Sequence, residues 1–386
     1  MGVDEEKIKG ILESGVLEII EKKHLEEALK SGTKLKVKFG IDPTAPDIHL
    51  GHSVPLRKLR QFQDLGHEII LIIGDFTAQI GDPSGKEDSR KQLSAEEVKN
   101  NFKKYLSLAD KIIDVKKVKV LYNSNWLKKT GLQVELSSKV SIQQALERDD
   151  FQKRFQNKQT ISLLEIFYPL FQGYDSVAVM ADVEIGGNDQ KFNLLMGRKI
   201  QRAYNLKEQD VLTTPLLLGL DGSRKMSKSL GNYISLDEEP NAMFSKVMTM
   251  PDELITQYTV LLTDLFLDEI KKQRPYDAKK ILAYEIVKIY HGEKEAKKAR
   301  EYFEKTFSKK GVPPESELKK FKIDSGETWG RFLMKEGFVK SMAEAKRLID
   351  GGGIDFGSTR IKHASDKIIK GGVAKIGKYK FIKIVF

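Results

Sequence analysis

The sequence predicts an α/β protein: a doubly wound, mostly parallel sheet within residues 1–220, then a helical domain, then a small basic α+β module. Three observations carry this prediction. Short apolar runs, Leu35 to Ile41, Ile69 to Ile73, Val118 to Tyr122, Val177 to Met180 and Leu212 to Leu218, alternate with amphipathic stretches. Buried strands joined by crossover helices produce that pattern, because a parallel sheet is covered on both faces. From Pro251 to Thr306 apolar residues recur at helical spacing among many charges (Leu262, Phe266, Ile270; Ile281, Tyr284, Val287). Finally, residues 321–386 hold 14 Lys+Arg against 7 Asp+Glu, so +7 of the net +11 lies in the last sixth of the chain.

Composition narrows the function classes. A chain of 386 residues with 40% hydrophobic content can bury two or three cores, which excludes a disordered tail protein. Cysteine is absent, so disulfide scaffolds, thiol nucleophiles and thiolate metal sites are excluded. No apolar run approaches the roughly 20 residues of a membrane span, and the charged start MGVDEEKIKGILE lacks a signal-peptide apolar region, so a cytoplasmic, non-membrane protein is expected. The basic end suggests a polyanion partner, since Lys and Arg that neutralise phosphates gain counterion release; a solvated Lys-rich surface has the same composition.

Boundaries follow from local chemistry. The double proline in SKKGVPPESE blocks helix and marks a linker, placed at 311–325. The expected order is a Rossmann-like domain (1–220) with an inserted helical connective segment, a loop and helical domain (221–310), the linker, and the α+β module (326–386). Ligands of doubly wound sheets bind beyond the carboxyl ends of the strands, so polar motifs should follow the apolar runs.

They do. After the first run come Gly40, Asp42 and Thr44, then His49-Leu50-Gly51-His52 opening an apolar-periodic helix. Two imidazoles three residues apart share a face at a helix start, Gly51 permits close approach, and the free N–H groups with the positive helix end suit a polyphosphate. A capping His with a packed partner is the alternative; a zinc pair lacks a third ligand nearby. The second run leads into Gly81-Asp82-Pro83-Ser84-Gly85-Lys86, with Arg90 beyond. Asp82 is suited to an ammonium group and Lys86 and Arg90 to phosphate, unless the stretch is an ordinary glycine-rich turn. The loop Lys225-Met226-Ser227-Lys228-Ser229 follows the last run; two lysines flanking hydroxyls could close over a triphosphate and meet the charge that develops as pyrophosphate leaves. On a helix, Tyr168, Gln172 and Asp175 fall at i, i+4 and i+7, one polar face in an apolar segment that also contains Pro169.

HLGH and KMSKS, together with FGIDPTAPDIHLGH, IGDPSGK, YPLFQGYD and IGGNDQ, resemble the motif set of class I aminoacyl-tRNA synthetases, and within them the bacterial tyrosyl-tRNA synthetases. The resemblance covers essentially the whole chain. It implies ATP-dependent activation of L-tyrosine and transfer to tRNA(Tyr), with Mg2+ accompanying ATP, no dedicated protein metal site, and a homodimer. By motif position, Asp82, Tyr168 and Gln172 would receive the substrate amino group, Asp175 the phenolic proton, and Gln190 would orient the carboxylate. Gly40, Asp42, Gly51, Gly187, Asp189, Met226 and Ser227 would surround the adenylate, and Thr44, His49, His52, Lys86, Arg90, Lys225 and Lys228 the phosphates.

One position departs from the pattern. The best-known branch of the family has a tyrosine two residues before the GxDPT run that helps hold the substrate hydroxyl; here Lys38 stands there, which leaves phenol recognition mainly to Asp175. The tail resembles the small alpha-L RNA-binding module: two short helices, the second opening on Ser341 and Glu344, then strand-like IDFGSTRIK and KYKFIKIVF. Lys340, Lys346, Arg347, Arg360 and Lys362 are the candidate phosphate contacts.

Overall fold

The structure, a computed structural model, describes residues 4–44, 48–82, 94–308, 318–323, 326–339, 341–357, 359–377 and 380–386. It divides into two compact units: residues 1–239 with 246–292, and residues 240–245 with 293–386.

The first unit holds a six-stranded sheet of β1 (Glu18–Ile20), β2 (Lys36–Ile41), β3 (Glu68–Ile73), β4 (Lys119–Tyr122), β5 (Val183–Gly187) and β6 (Asp210–Thr214), in the spatial order β1-β6-β5-β2-β3-β4. All neighbours run parallel except the edge pair, where Glu18 lies opposite Thr213 in an antiparallel register. The chain builds outward from β2 through β3 to β4, then returns to the other side of β2 for β5 and β6. Order therefore reverses between β2 and β5, and a crevice opens beyond the carboxyl ends of those two strands. Ile69 to Ile73 are all buried, as expected of a strand covered on both faces.

Two expectations require correction. Val177 to Met180 is not a strand: it closes the helix Leu163–Val179, and the strand follows at Val183–Gly187. The β-branched residues Val177 and Val179 gave a strand-like run, but a capping box starts this helix, Ser162 Oγ accepting from Glu165 N–H while the Glu165 carboxylate accepts from Ser162 N–H. The helix runs through Pro169. The last apolar run is a strand only over Asp210–Thr214, and the short edge strand β1 carried too little sequence for a periodic signal.

Helices Leu254–Leu262, Leu267–Lys271 and Pro275–His291 complete the first unit. Of the apolar residues expected to pack, Leu262, Ile270 and Val287 are buried while Phe266 and Ile281 are exposed; Leu282, Ala283, Ile286 and Tyr290 join Val287 on the buried face of Pro275–His291. The second unit contains helix Glu293–Phe303 and a five-stranded sheet of β7 (Lys320–Lys322), β8 (Ile354–Phe356), β9 (Thr359–Arg360), β10 (Gly372–Ile376) and β11 (Lys380–Val385), ordered β7-β11-β10-β8-β9. Helices Trp329–Lys335 and Met342–Asp350 contribute Trp329, Phe332, Leu333, Ala345 and Ile349 to its core. The stretch expected as linker ends in structure, because β7 pairs in parallel with β11. Among the described residues no helix is long and apolar enough to cross a membrane.

Candidate active site

A cavity of about 320 Å3 lies at the crevice between β2 and β5. Its floor is built where β2 ends. Asp42 accepts from Thr77 Oγ1 at 2.7 Å and from the Tyr168 hydroxyl at 2.9 Å, so the β2 exit, the β3 exit and the Leu163–Val179 helix meet on one carboxylate. Gly74 makes room for this: a Cβ there would lie 1.9 Å from Asp42 Oδ1 and 2.3 Å from Thr77 Oγ1. Burial and the nearby Asp42, Asp82 and Asp175 carboxylates raise the Tyr168 phenol well above its ordinary value, so it stays a donor.

The helix Leu50–Asp64 begins on the histidine pair. His49 Nδ1 accepts from Gly51 N–H and His52 Nδ1 from His49 N–H, each at 3.2 Å. A ring nitrogen that accepts carries no proton, so both imidazoles are neutral with the hydrogen on Nε2. Burial acts in the same direction: desolvation lowers His52 to about 4, and lowers His49 further, with the His52 ring and the Lys225 ammonium adding to the effect. The rings lie 4.1 Å apart between centroids. A Cβ on Gly51 would lie 3.0 Å from the His49 ring, so this glycine makes room for its neighbour's imidazole.

The lysine loop sits against the histidine turn. His49 forms a bridge with Ser235, Leu50 N–H donates to Ile234 O, and Leu218 bridges Lys225. Lys225 pairs with Asp189 at 3.0 Å and joins His52 in lining the cavity. Met226 is buried, which anchors the loop. Buried Asn232 ties the rest, accepting from Ser227 N–H at 2.8 Å and donating to Asp221 at 2.8 Å and to Lys225 O at 3.2 Å. Lys228 is exposed on the loop and does not line the cavity.

The polar face of Leu163–Val179 projects as its spacing predicts: Tyr168, Gln172 and Asp175 all line the cavity. Asp175 accepts from Trp126 Nε1 at 2.8 Å and from Asn123 Nδ2 at 3.4 Å. Burial pushes its carboxyl up to about 7; Lys38, Trp126 and Asn123 oppose this, and Glu184 adds to it. Asp82 accepts from Gln190 Nε2 at 2.6 Å, and the Arg148 guanidinium lies 3.7 Å away. Asn193 Nδ2 donates to Gln190 Oε1, which orients that amide.

Gly40, Thr44, Gly187 and Asp189 also line the cavity. His49, Gly51, Met226 and Ser227 belong to the adjoining turn and loop and do not line it. Lys86, Arg90 and Lys340 lie outside the described residues. In the second unit Lys346, Arg347, Arg360 and Lys362 are exposed; Arg360 pairs with Asp355 at 3.0 Å, and Ser341 Oγ accepts from Glu344 N–H. No cluster of three or more His, Asp or Glu suited to a metal occurs among the described residues.

Reading motifs alone missed Gly74, Thr77, Asn123, Trp126, Arg148, Glu184 and Asn232. Each is an ordinary residue in an ordinary run, and only its burial beside a motif residue gives it a role. It also left Lys38 without a part to play. Lys38 is fully buried, and its ammonium lies 2.9 Å from Glu184.

The chain is similar to known proteins along nearly its whole length. Residues 30–308 match the family described as tRNA synthetases class I (W and Y). The chain is 49% identical to the tyrosine–tRNA ligase of Aquifex aeolicus, over 99% of both chains, and 45% identical to that of Thermotoga maritima, over 98% of this chain and 97% of the relative. Solved structures share the fold: a truncated mitochondrial tyrosyl-tRNA synthetase from Aspergillus nidulans (TM-score 0.65, 23% identity, 78% of this chain and 94% of that one) and the Archaeoglobus fulgidus tyrosyl-tRNA synthetase complexed with L-tyrosine (TM-score 0.63, 21% identity, 77% and 99%). With near-complete coverage at almost half identity, the chain belongs to the tyrosine–tRNA ligase family of class I aminoacyl-tRNA synthetases.

Proposed function

We propose that the cavity at the β2/β5 crevice activates L-tyrosine with ATP and passes the product to tRNA(Tyr). The tyrosine carboxylate oxygen attacks the α-phosphorus, the bond to the bridging oxygen breaks, and pyrophosphate leaves. A 3'-terminal ribose hydroxyl of the tRNA then attacks the tyrosyl carbonyl and AMP departs. No side-chain nucleophile takes part, so catalysis rests on positioning and charge stabilisation.

The observation that carries the reading is the meeting of the histidine turn and the lysine loop beside one cavity, which His52 and Lys225 both line. Two Nε2–H donors on one side and an ammonium on the other are suited to a triphosphate. Thr44 and Lys228 act with them, as do Lys86 and Arg90. The Lys225–Asp189 pair holds the ammonium near the cavity until phosphate competes for it. Asp82, Tyr168 and Gln172 take the substrate ammonium, Gln190 the carboxylate, and Asp175 the phenol. Gly40, Asp42, Gly187 and Asp189 surround the adenylate. Mg2+ enters with ATP as part of the substrate.

The basic second unit would hold tRNA phosphates through Lys340, Lys346, Arg347, Arg360 and Lys362, in the manner of the alpha-L module. A homodimer in the cytoplasm, and the functional division at residues 220, 310 and 325, belong to the same proposal. ATP–pyrophosphate exchange with tyrosine, tryptophan and phenylalanine in turn tests it: tyrosine alone should support rapid exchange. Preference for tryptophan, or no exchange with any of the three, would overturn the reading.

A further inference from the structure

At the base of the cavity, where Glu184 contributes to the lining, lies a cluster of charges that the reaction chemistry does not use. Lys38 and Glu184 are register partners on the adjacent parallel strands β2 and β5, and both are fully buried. The Lys38 ammonium reaches Glu184 at 2.9 Å, donates to Gln172 O at 2.9 Å and to Ser176 Oγ at 2.8 Å. Those three contacts use all of its donors. Glu184 in turn accepts from Ser176 Oγ at 3.1 Å, from Gln172 Nε2 at 3.3 Å and from Gln209 Nε2.

The neighbouring helix Lys191–Ala203 packs directly on the cluster. A Cβ on Gly197 would lie 2.5 Å from Gln209 Nε2 and 3.1 Å from both Glu184 and Ser176, so the helix crosses here without a side chain. Burying two charges costs several kcal/mol of desolvation per ion, and two apolar side chains of similar volume would fill the space more cheaply. What distinguishes this pair is its location: Gln172 and Ser176 bracket Asp175 on one helical turn.

We propose that the buried Lys38–Glu184 pair determines side-chain specificity as a positioning device: it clamps the Gln172–Ser176 turn from below, aims Asp175 at the substrate phenol, and sets a positive charge beside that carboxylate. The inference rests on the reading of Asp175 as the phenol acceptor. Lys38 is not a vacancy in the pocket but the support of its acceptor. Of the influences on the Asp175 carboxyl, Lys38 is the largest that opposes burial. The groups facing Asp175 are Lys38 from β2, Glu184 from β5, Tyr168 from its own helix, and the neutral donors Asn123 and Trp126; Asp42 and Asp82 lie beyond Tyr168.

The test compares the parent with Lys38→Met and with Lys38→Met/Glu184→Gln, measuring exchange with tyrosine and phenylalanine between about pH 6 and 9. Lys38→Met should lower the tyrosine-to-phenylalanine ratio of kcat/KM by about 10- to 100-fold near pH 7, mainly through the KM for tyrosine, with part of the loss recovered as pH rises. The double variant, which leaves neither Lys38 nor Glu184 as a charge without its partner and so guards against misfolding, should lose about 5-fold or more. A parental ratio at every pH in either folded variant overturns the proposal, as does an equal, pH-independent loss for both amino acids. Asp175→Asn is measured alongside. If it keeps the parental ratio, the reading of Asp175 fails; if it destroys the ratio while the Lys38 variants keep theirs, this inference alone fails.

Discussion

Gly74→Ala probes the architecture at its tightest point. The added methyl would stand 1.9 Å from Asp42 Oδ1 and 2.3 Å from Thr77 Oγ1, whereas ordinary contact begins near 3.4 Å, so the Asp42 carboxylate must retreat by about 1.5 Å. Gly74 lacks a positive φ, so the substitution adds no backbone strain and the effect is purely steric. Retreat breaks the 2.7 Å bond from Thr77 and the 2.9 Å bond from Tyr168. Each hydrogen bond to a charged group contributes about 1.5–3 kcal/mol, but Asp42 can rehydrate at the cavity edge, so a net stability loss of about 2–3 kcal/mol is expected. Activity should fall further: a 1 Å misplacement at a reacting centre can cost about 100-fold. Urea midpoints and exchange kinetics with tyrosine measure both. Gly40→Ala, with nothing within 4 Å of its added Cβ, is the stability control and should change by less than about 1 kcal/mol. Parental stability and parental exchange in Gly74→Ala would refute the reasoning.

Other outcomes follow from the same contacts. Burial holds the Asp175 carboxyl near 7, above its unfolded value, so acceptance of the phenol is available above that pH and lost as pH falls through it; the KM for tyrosine, read from exchange, should rise below about pH 7 while that for phenylalanine stays flat. The Lys58 ammonium, within a buried side chain, accepts no substitute: it donates to the carbonyls of Gly10, Ile11 and Ser14 and to Gln61, so Lys58→Met should cost about 1–3 kcal/mol by chemical denaturation. Reversing Lys346 and Arg347 to Glu should weaken tRNA binding and flatten its salt dependence, measured by filter binding, without altering tyrosine activation.

Much of the site was legible because its chemistry demands particular residues at fixed spacing. His49 and His52 with Gly51 between them, and Tyr168, Gln172 and Asp175 on one helical face, are patterns a helix turns directly into geometry. What could not be read was tertiary. Lys38 stands among apolar neighbours in a strand, where nothing local shows that Glu184, far along the chain, will lie opposite it in register. Gly74 and Asn232 gain their roles only when another segment arrives. The same limit explains the strand misplaced at Val177 to Met180: an apolar run is shared by buried strands and buried helices, and the capping box at Ser162, 15 residues upstream of Val177, settled which one formed.

The gripping of one triphosphate by two distant stretches of chain is tested most directly by single-turnover formation of tyrosyl-adenylate in His52→Ala, Lys225→Ala and the double variant. Loss of one donor to developing phosphate charge should slow the step by about 10- to 1,000-fold in each single variant, with tyrosine affinity nearly unchanged. Parental rate constants in both single variants, or losses confined to tyrosine affinity, would show that these groups do not act on the phosphates.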